Sequence, residues 1–455
     1  MKLGQRPVEI CSGPLIPNLI RFSIPVMLSS MLQLFFNAAD VIVVGRYAGA
    51  TALAAVGSTG SLINLTINLF MGLSVGASVA VAQHYGARDA ESVSRCVHTA
   101  MLTSILSGLF LTVFGLLFAH RFLALMDTPT DVIDQATLYL RIYFTGMPFM
   151  MVYNFGSAIM RSTGDTQRPL VFLTIAGVVN VVLNLIFVIC FRMGVAGVGW
   201  ATVISQAVSA VLVVIGLMRS TDSSRLFLRK LHIYKDMLLQ MVRIGLPAGI
   251  QGAMFSISNV LIQSSVNSFG STVMSANAAA GNIEGFVYNG MNAFYHAALT
   301  FAGQNVGAKK IERLPKIYSR CALLVTAIGL TLGLTSCIFA ESLLSIYIPD
   351  LPQAIAYGKT RLWLISAPYF ICGLMDVGVG MLRGMGKSVF PMLVSIMGVC
   401  VLRVGWIYTI FAQYHTLQLL YVSYPVSWLL TGSTHFICYL FVYRKMRIQA
   451  QLQGA

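Results

Sequence analysis

The chain is 455 residues long; 57% are apolar and only 10% charged, against about a quarter charged in a soluble domain. That balance, with a mean hydropathy of +0.78, excludes a water-soluble enzyme, a disordered chain and a nucleic-acid binder. The net charge of +15 then reads as loop charge on one side of a membrane, not as a nucleic-acid footprint.

Residues 1–17 carry Lys2 and Arg6 but no short apolar core with a small-residue cleavage site, so no removed signal peptide is expected. Apolar runs of about 20 residues or more mark membrane helices. Twelve are predicted, at 15–44, 52–83, 94–119, 136–160, 168–190, 195–218, 236–268, 273–303, 317–340, 358–382, 389–411 and 417–443. Turn or charge signals break them: Gly86-Ala87-Arg88-Asp89, Asp127-Thr128-Pro129, Gly164-Asp165-Thr166, Gly270-Ser271, Gly307-Ala308-Lys309-Lys310 and Gly384-Met385-Gly386-Lys387. The expected fold is an all-α polytopic membrane protein. None of the eight cysteines forms a C-x-x-C pair, so packing thiols are expected rather than a disulfide framework or a zinc site.

An even helix number puts both termini on one side. Of the 30 Lys and Arg, 23 fall on that side and six on the other, Arg46, Arg121, Arg141, Arg192, Lys359 and Arg361, with Arg403 left inside a span. The termini are therefore expected in the cytoplasm.

The sequence repeats. A shift of 222 brings Pro25 onto Pro247, Asn37 onto Asn259, Arg161 onto Arg383 and Pro169 onto Pro391. A nearby shift brings Ala82-Gln83-His84-Tyr85-Gly86-Ala87 onto Gly303-Gln304-Asn305-Val306-Gly307-Ala308. Two pseudo-symmetric six-helix lobes are predicted: residues 1–218, a cytoplasmic connector at 219–243 running into helix 7, and residues 236–455. Duplicated membrane halves rocking about a central site are transporter architecture.

Three acids are predicted inside spans: Asp40, Glu284 and Asp376. A carboxylate in hydrocarbon costs roughly 2.5 kcal/mol or more, so such residues face cavities and carry ions or protons. Gln33, Asn37 and Asp40 share one face of helix 1. Helix 5 offers Asn180 and Asn184, helix 6 Thr202 and Gln206, helix 4 Asn154. One carboxylate among amides and hydroxyls suits a small hard cation, and the same groups suit a protonated carboxyl. Amides also glue membrane helices together, and spacing alone does not make these converge. The halves differ: Asn180 aligns with Leu402, Asn184 with Trp406, Asn154 with Asp376 and Leu62 with Glu284. Helix 8 carries a polar stripe of Gly281, Glu284, Tyr288 and Asn292, and helix 2 one of Gly57, Ser61, Asn64, Asn68 and Gly72. With Phe255, Asn259 and Gln263 of helix 7, these are expected to line a cargo cavity, where Glu284 and Asp376 would face the inter-lobe space and attract cations.

Ala38-Ala39-Asp40-Val41-Ile42-Val43-Val44-Gly45, the two Gln-containing motifs above and Leu382-Arg383-Gly384 resemble the MATE (multidrug and toxic compound extrusion) family over about residues 15–443. The resemblance implies two six-helix lobes around a V-shaped cavity, and export of organic cations and other drugs in exchange for Na⁺ or H⁺. It also implies that Asp40, Asn180 and Asn184 bind the coupling ion, assisted by Thr202 and Asn154. Asn at position 184, where one pattern has Asp, leaves a single carboxylate. No acid is found on helix 7; Glu284 and Asp376 are the candidates for that missing charge. No cofactor is implied beyond the coupling ion, the partners are small molecules and the lipid bilayer, and a monomer in the inner (plasma) membrane is expected.

Within the same superfamily, the alternative cargo is a lipid-linked saccharide carried by a flippase. Such proteins tend toward more helices and a cationic cavity. An enzyme is not expected: H-E-x-x-H, G-x-S-x-G, a Walker loop and Cys/His metal spacing are all missing from the sequence.

Overall fold

Glycines at positive φ open the second helix of each half: Gly49 and Gly270 both sit at φ 92°, where only glycine is unstrained. The computed structural model describes residues 8–126, 128–349 and 351–453; Lys2, Arg6 and Asp127 lie outside them, as does the Ser61 side chain. The described residues form helices joined by turns and short connectors, with no strand among them. In the first half these are α1 (Leu15–Tyr47), α2 (Ala50–Gly86), α3 (Ala90–Leu125), α4 (Ile133–Thr145), α5 (Met147–Ser162), α6 (Gln167–Leu185) and α7 (Val195–Met218). In the second they are α8 (Lys235–Asn267), α9 (Ser271–Gly307), α10 (Leu314–Ile338), α11 (Ala340–Ser345), α12 (Pro352–Ile365), α13 (Tyr369–Gly384), α14 (Val389–Ser395), α15 (Leu402–Trp406), α16 (Ala412–Tyr414) and α17 (Leu417–Gln453).

The duplication is visible in the backbone. α1 and α8 are both 33 residues long, α2 and α9 both 37, α5 and α13 both 16. Arg88 and Lys309 turn the chain at φ 58° and 55°, and Gly164 and Gly386 at 93° and 78°. Wider, π-helical turns follow in matching places, at Ile186–Cys190 and Ile407–Phe411, with a further one at Ile396–Val401.

Two predicted runs break where prolines stand. The run at 136–160 contains Pro148 and becomes α4 and α5; the run at 358–382 contains Pro368 and becomes α12 and α13, bent by 45°. Proline starts a helix readily and weakens one that runs through it, since it removes an amide donor; α1, α8 and α17 nevertheless continue through Pro25, Pro247 and Pro425. Among the described residues nine helices are long and apolar enough to cross a membrane, or ten with the bent pair taken as one. The other two of the twelve predicted runs correspond to the α4–α5 pair and to α9.

The chain divides into two compact units: Met1–Val8 with Leu28–Gly249, and Glu9–Met27 with Ile250–Ala455. The first part of α1 thus packs with the second unit, and the first part of α8, to Gly249, with the first. Both boundaries fall within three residues of the aligned Pro25 and Pro247. Within the first unit, Gly72 and Gly76 of α2 meet α8 backbone to backbone; a Cβ on Gly72 would lie 2.2 Å from the Gly249 nitrogen. Helix pairs without a hydrophobic driving force between them rely on such small-residue seams.

Burial is patterned for lipid. On α3, Met101, Ser104, Gly108, Leu111, Gly115 and Ala119 are buried, while Leu106, Phe110, Val113 and Leu117 point outward, Leu117 with 65% of its surface exposed. In water that apolar face would drive aggregation; in a bilayer it is the solvated side.

Candidate functional sites

In the first unit, α1 and α6 bring three predicted residues together. Asn180 and Asn184 are one turn apart on α6, so both face α1. The Asn184 amide nitrogen donates to the Asp40 carboxylate and, at 3.2 Å, to the Asn180 carbonyl oxygen. Asn180 and Asn184 are buried, and the Asn184 carbonyl oxygen has no hydrogen-bond partner. A buried acceptor left unpaired is costly, so this cluster holds an oxygen with coordinating capacity beside a carboxylate. No group of three or more His, Cys, Asp or Glu stands anywhere among the described residues.

The remaining predicted residues of this unit stand apart. Thr202 donates to the Val198 carbonyl at 3.0 Å and Asn154 to the Met150 carbonyl at 2.9 Å, each on its own helix. Gln33, Asn37 and Asn64 are exposed and Asn68 is half-buried. The helix 2 stripe ends not in an open face but in the Gly72 seam against α8.

The second unit encloses a cavity of about 550 Å³ between α8, α9, α12, α13, α15 and α17. Phe255, Asn259, Gln263, Glu284, Tyr288 and Asp376 all line it, and so do Arg361 and Arg403. Asn292 lies one turn further along α9 and donates to the Tyr288 hydroxyl at 3.3 Å.

Glu284 is not a free charge here. Arg361 Nε and Nη2 bind its two oxygens at 2.8 and 2.7 Å, a bidentate pair with both partners buried. Arg361 Nη1 also donates to Asn277, whose amide donates to Gln263 at 2.8 Å, which in turn donates to Asn267 at 2.9 Å. Position 361, counted from sequence as an outer-loop charge, is thus a buried residue of α12. Arg383, counted as cytoplasmic, is buried too, donating to the Tyr295 hydroxyl at 2.8 Å and to Gln251 at 2.9 Å.

Asp376 is half-buried and, among the described residues, in no ion pair. Arg403 is buried, its Nε donates to Ser427 at 2.8 Å, and its guanidinium lies 4.1 Å over the Tyr424 ring and 5.6 Å from Trp428. Tyr369 stacks on Trp428 with centroids 5.0 Å apart. The sequence reading missed this aromatic wall and the two cavity arginines. The signal for Arg403 was there, since a cation inside a span carries the same implication as an acid.

A duplicated α-helical membrane protein with a buried polar site in each half has the architecture of a transporter. The family described as MatE matches residues 25–186 and 247–409, and the chain belongs to it: it is a MATE transporter, a multi-pass membrane protein handling small molecules, and not an enzyme. The chain is 28% identical over 442 residues to the probable multidrug resistance protein YoeA of Bacillus subtilis (strain 168), covering 95% of each. It is 23% identical over 394 residues to the probable multidrug resistance protein NorM of Thermotoga maritima, covering 85% of this chain and 83% of that one. Its fold matches a solved MATE structure in the bent conformation, with a TM-score of 0.90 at 23% identity over 98% of this chain and 99% of that one. An outward-facing multidrug resistance MATE transporter of the MOP superfamily matches at 0.90 and 22% identity, over 98% and 100%.

Proposed function

We propose that this chain is a secondary antiporter exporting amphiphilic, mainly cationic drugs or metabolites in exchange for Na⁺ or H⁺ by alternating access. It acts as a monomer in the inner (plasma) membrane, with both termini cytoplasmic. The observation that carries the reading is the Asp40–Asn184–Asn180 cluster. A Na⁺ bound there takes oxygens from all three residues. A proton bound there sits on Asp40, held among the same amides. Thr202 and Asn154 join only if they leave their own helix carbonyls. The cargo occupies the cavity of the second unit, against Phe255, Asn259, Gln263, Tyr288 and Asp376. Gln33, Asn37, Asn64, Asn68 and Asn292 serve its path. Glu284 holds the cavity wall through Arg361 and supplies no net charge, because the pair is neutral.

The test is ethidium efflux from proteoliposomes of the full chain under an imposed Na⁺ or pH gradient. Efflux that starts with one gradient and stops when it is collapsed supports the reading; gradient-independent leakage overturns it. The competing cargo is a lipid-linked saccharide, favoured by one observation, the two arginines in the cavity. It expects lipid-linked glycan translocation in those vesicles and no ethidium efflux.

A further inference from the structure

The charges in the second unit's cavity do not add up to a site for a simple cation. Glu284 and Arg361 cancel in their bidentate pair. What remains is one acid, Asp376, and one base, Arg403, both lining the cavity. Neither is in an ion pair with the other or with any other described residue. Arg403 Nη2 is buried with no hydrogen-bond partner, and the residue keeps only 4% of its surface exposed. A guanidinium presents five donors in a planar fork, and among the described residues the Nε contact to Ser427 is its one hydrogen bond. Buried charges are normally paired, because leaving one uncompensated is strongly destabilising.

The backbone places this side chain deliberately. α15 is only five residues long and lies between the π-helical turns Ile396–Val401 and Ile407–Phe411. Such turns re-aim side chains and recur at functional sites. The aligned position in the first half, by the shift of 222, is Val181, so the shared scaffold does not require a cation there. The guanidinium lies over the Tyr424 ring at 4.1 Å, a cation–π contact that uses its face and not its donor edge.

We infer that Arg403 anchors a carboxylate of the cargo while Asp376 receives the cargo's cationic end, so that the ligands of this cavity are aromatic zwitterions rather than plain organic cations. This rests on the export reading and narrows its substrate class. A charge-assisted fork to a carboxylate replaces the missing acceptor, and Phe255, half-buried on the wall of the same cavity, offers an apolar face for the ring system between the two ends.

The test compares two dyes that differ only in this group: rhodamine B, which carries a free carboxylate and a xanthylium cation, and its ethyl ester, which carries the cation alone. Affinities are read by fluorescence anisotropy on the purified full chain in nanodiscs, with empty nanodiscs as blanks. The wild type is expected to bind rhodamine B about tenfold more tightly than the ester, the lower range for a hydrogen-bonded charge. Arg403→Gln is expected to bring that ratio to about one with the ester's affinity changed less than about twofold. Arg403→Lys keeps the charge but loses the fork and is expected to fall between. Should Arg403→Gln fail to fold, the wild-type ratio and the lysine variant decide the matter. A wild-type ratio of one, or a ratio that Arg403→Gln leaves untouched, overturns the inference. If the ester is still exported in that case, the export reading stands on its own; if neither dye binds, both fall.

Discussion

Asp40 and Glu284 are both carboxylates on long helices of a duplicated scaffold, yet their surroundings are opposite. Asp40 is hydrogen-bonded by a neutral amide, Asn184, with Asn180 behind it. Glu284 meets a full counter-charge in Arg361, with Asn277 and Gln263 extending the network. A carboxylate among amides can exchange its partner for a cation or a proton. A carboxylate locked to a guanidinium by two hydrogen bonds cannot do so cheaply, because releasing either partner strands a buried charge. The first arrangement is suited to a coupling ion that comes and goes, the second to holding a cavity wall in place. The duplicated backbone supplies helices in matching places, and the chemistry comes from substitutions at aligned positions, where Tyr139 stands opposite Arg361 and Leu62 opposite Glu284.

This contrast can be broken most decisively by removing each charge in turn. Glu284→Gln is expected to destabilise the protein by about 3–5 kcal/mol, the cost of leaving one member of a buried pair alone. Thermal unfolding checks it, and Glu284→Gln with Arg361→Met is expected to recover much of the loss. Asp40→Asn is expected to leave the unfolding temperature close to wild type while ion-driven export falls to background, measured in the same proteoliposomes. A variant of Asp40 that unfolds, or one of Glu284 that merely stops transport, would erase the distinction.

Smaller changes sharpen it. Asn180→Ala and Asn184→Ala each delete one neutral ligand, and each is expected to weaken ion affinity by about five- to tenfold, near 1 kcal/mol for one hydrogen bond or neutral contact. Ion titration of transport rate reads this out. The smallest effect is expected at the turns. Asp89 caps α3 by accepting from the Ser92 amide at 3.1 Å, and the Ser92 hydroxyl, together with that amide, holds its carboxyl below the usual carboxylate range. A depressed folded-state value means that the stabilisation is present above the ordinary carboxylate range and is lost as pH falls through the lowered one. Asp89→Ala should lower the unfolding temperature slightly at neutral pH and not at all in strong acid. The corresponding turn at Lys309 is instead tied to the chain by Lys310 and Arg313 donating to the Cys11 carbonyl at 2.8 and 2.9 Å, so Lys310→Ala, at the position that matches Asp89, should show no such pH dependence.

The all-α membrane fold and the duplication were legible because hydropathy runs and repeated turns are local signals. Gly49 with Gly270 and Arg88 with Lys309 keep their unusual backbone angles in both copies. The breaks at Pro148 and Pro368 were overlooked because each apolar run continues through its proline. The Asp40, Asn180 and Asn184 cluster was legible from the four-residue spacing on one helix and a lone acid on another, together with the family's pattern. The Glu284–Arg361 pair was not, because Arg361 stands 77 residues from its partner and sits near the end of an apolar run, where charge counting assigns it to a loop. Reading embedded acids without embedded bases made the cavity look anionic; Arg361 and Arg403 make it balanced.

The central claim is that ion and cargo bind at separate places and compete through conformation, with Asp40 as the coupling group; linkage requires each to alter the other's affinity by the same factor. Its most direct test is the affinity of the purified protein for ethidium across a Na⁺ series and a pH series, in wild type and in Asp40→Asn. The account expects cargo affinity to fall as the coupling ion or proton is added to the wild type and to stay constant in Asp40→Asn. An equal dependence in both proteins would contradict it.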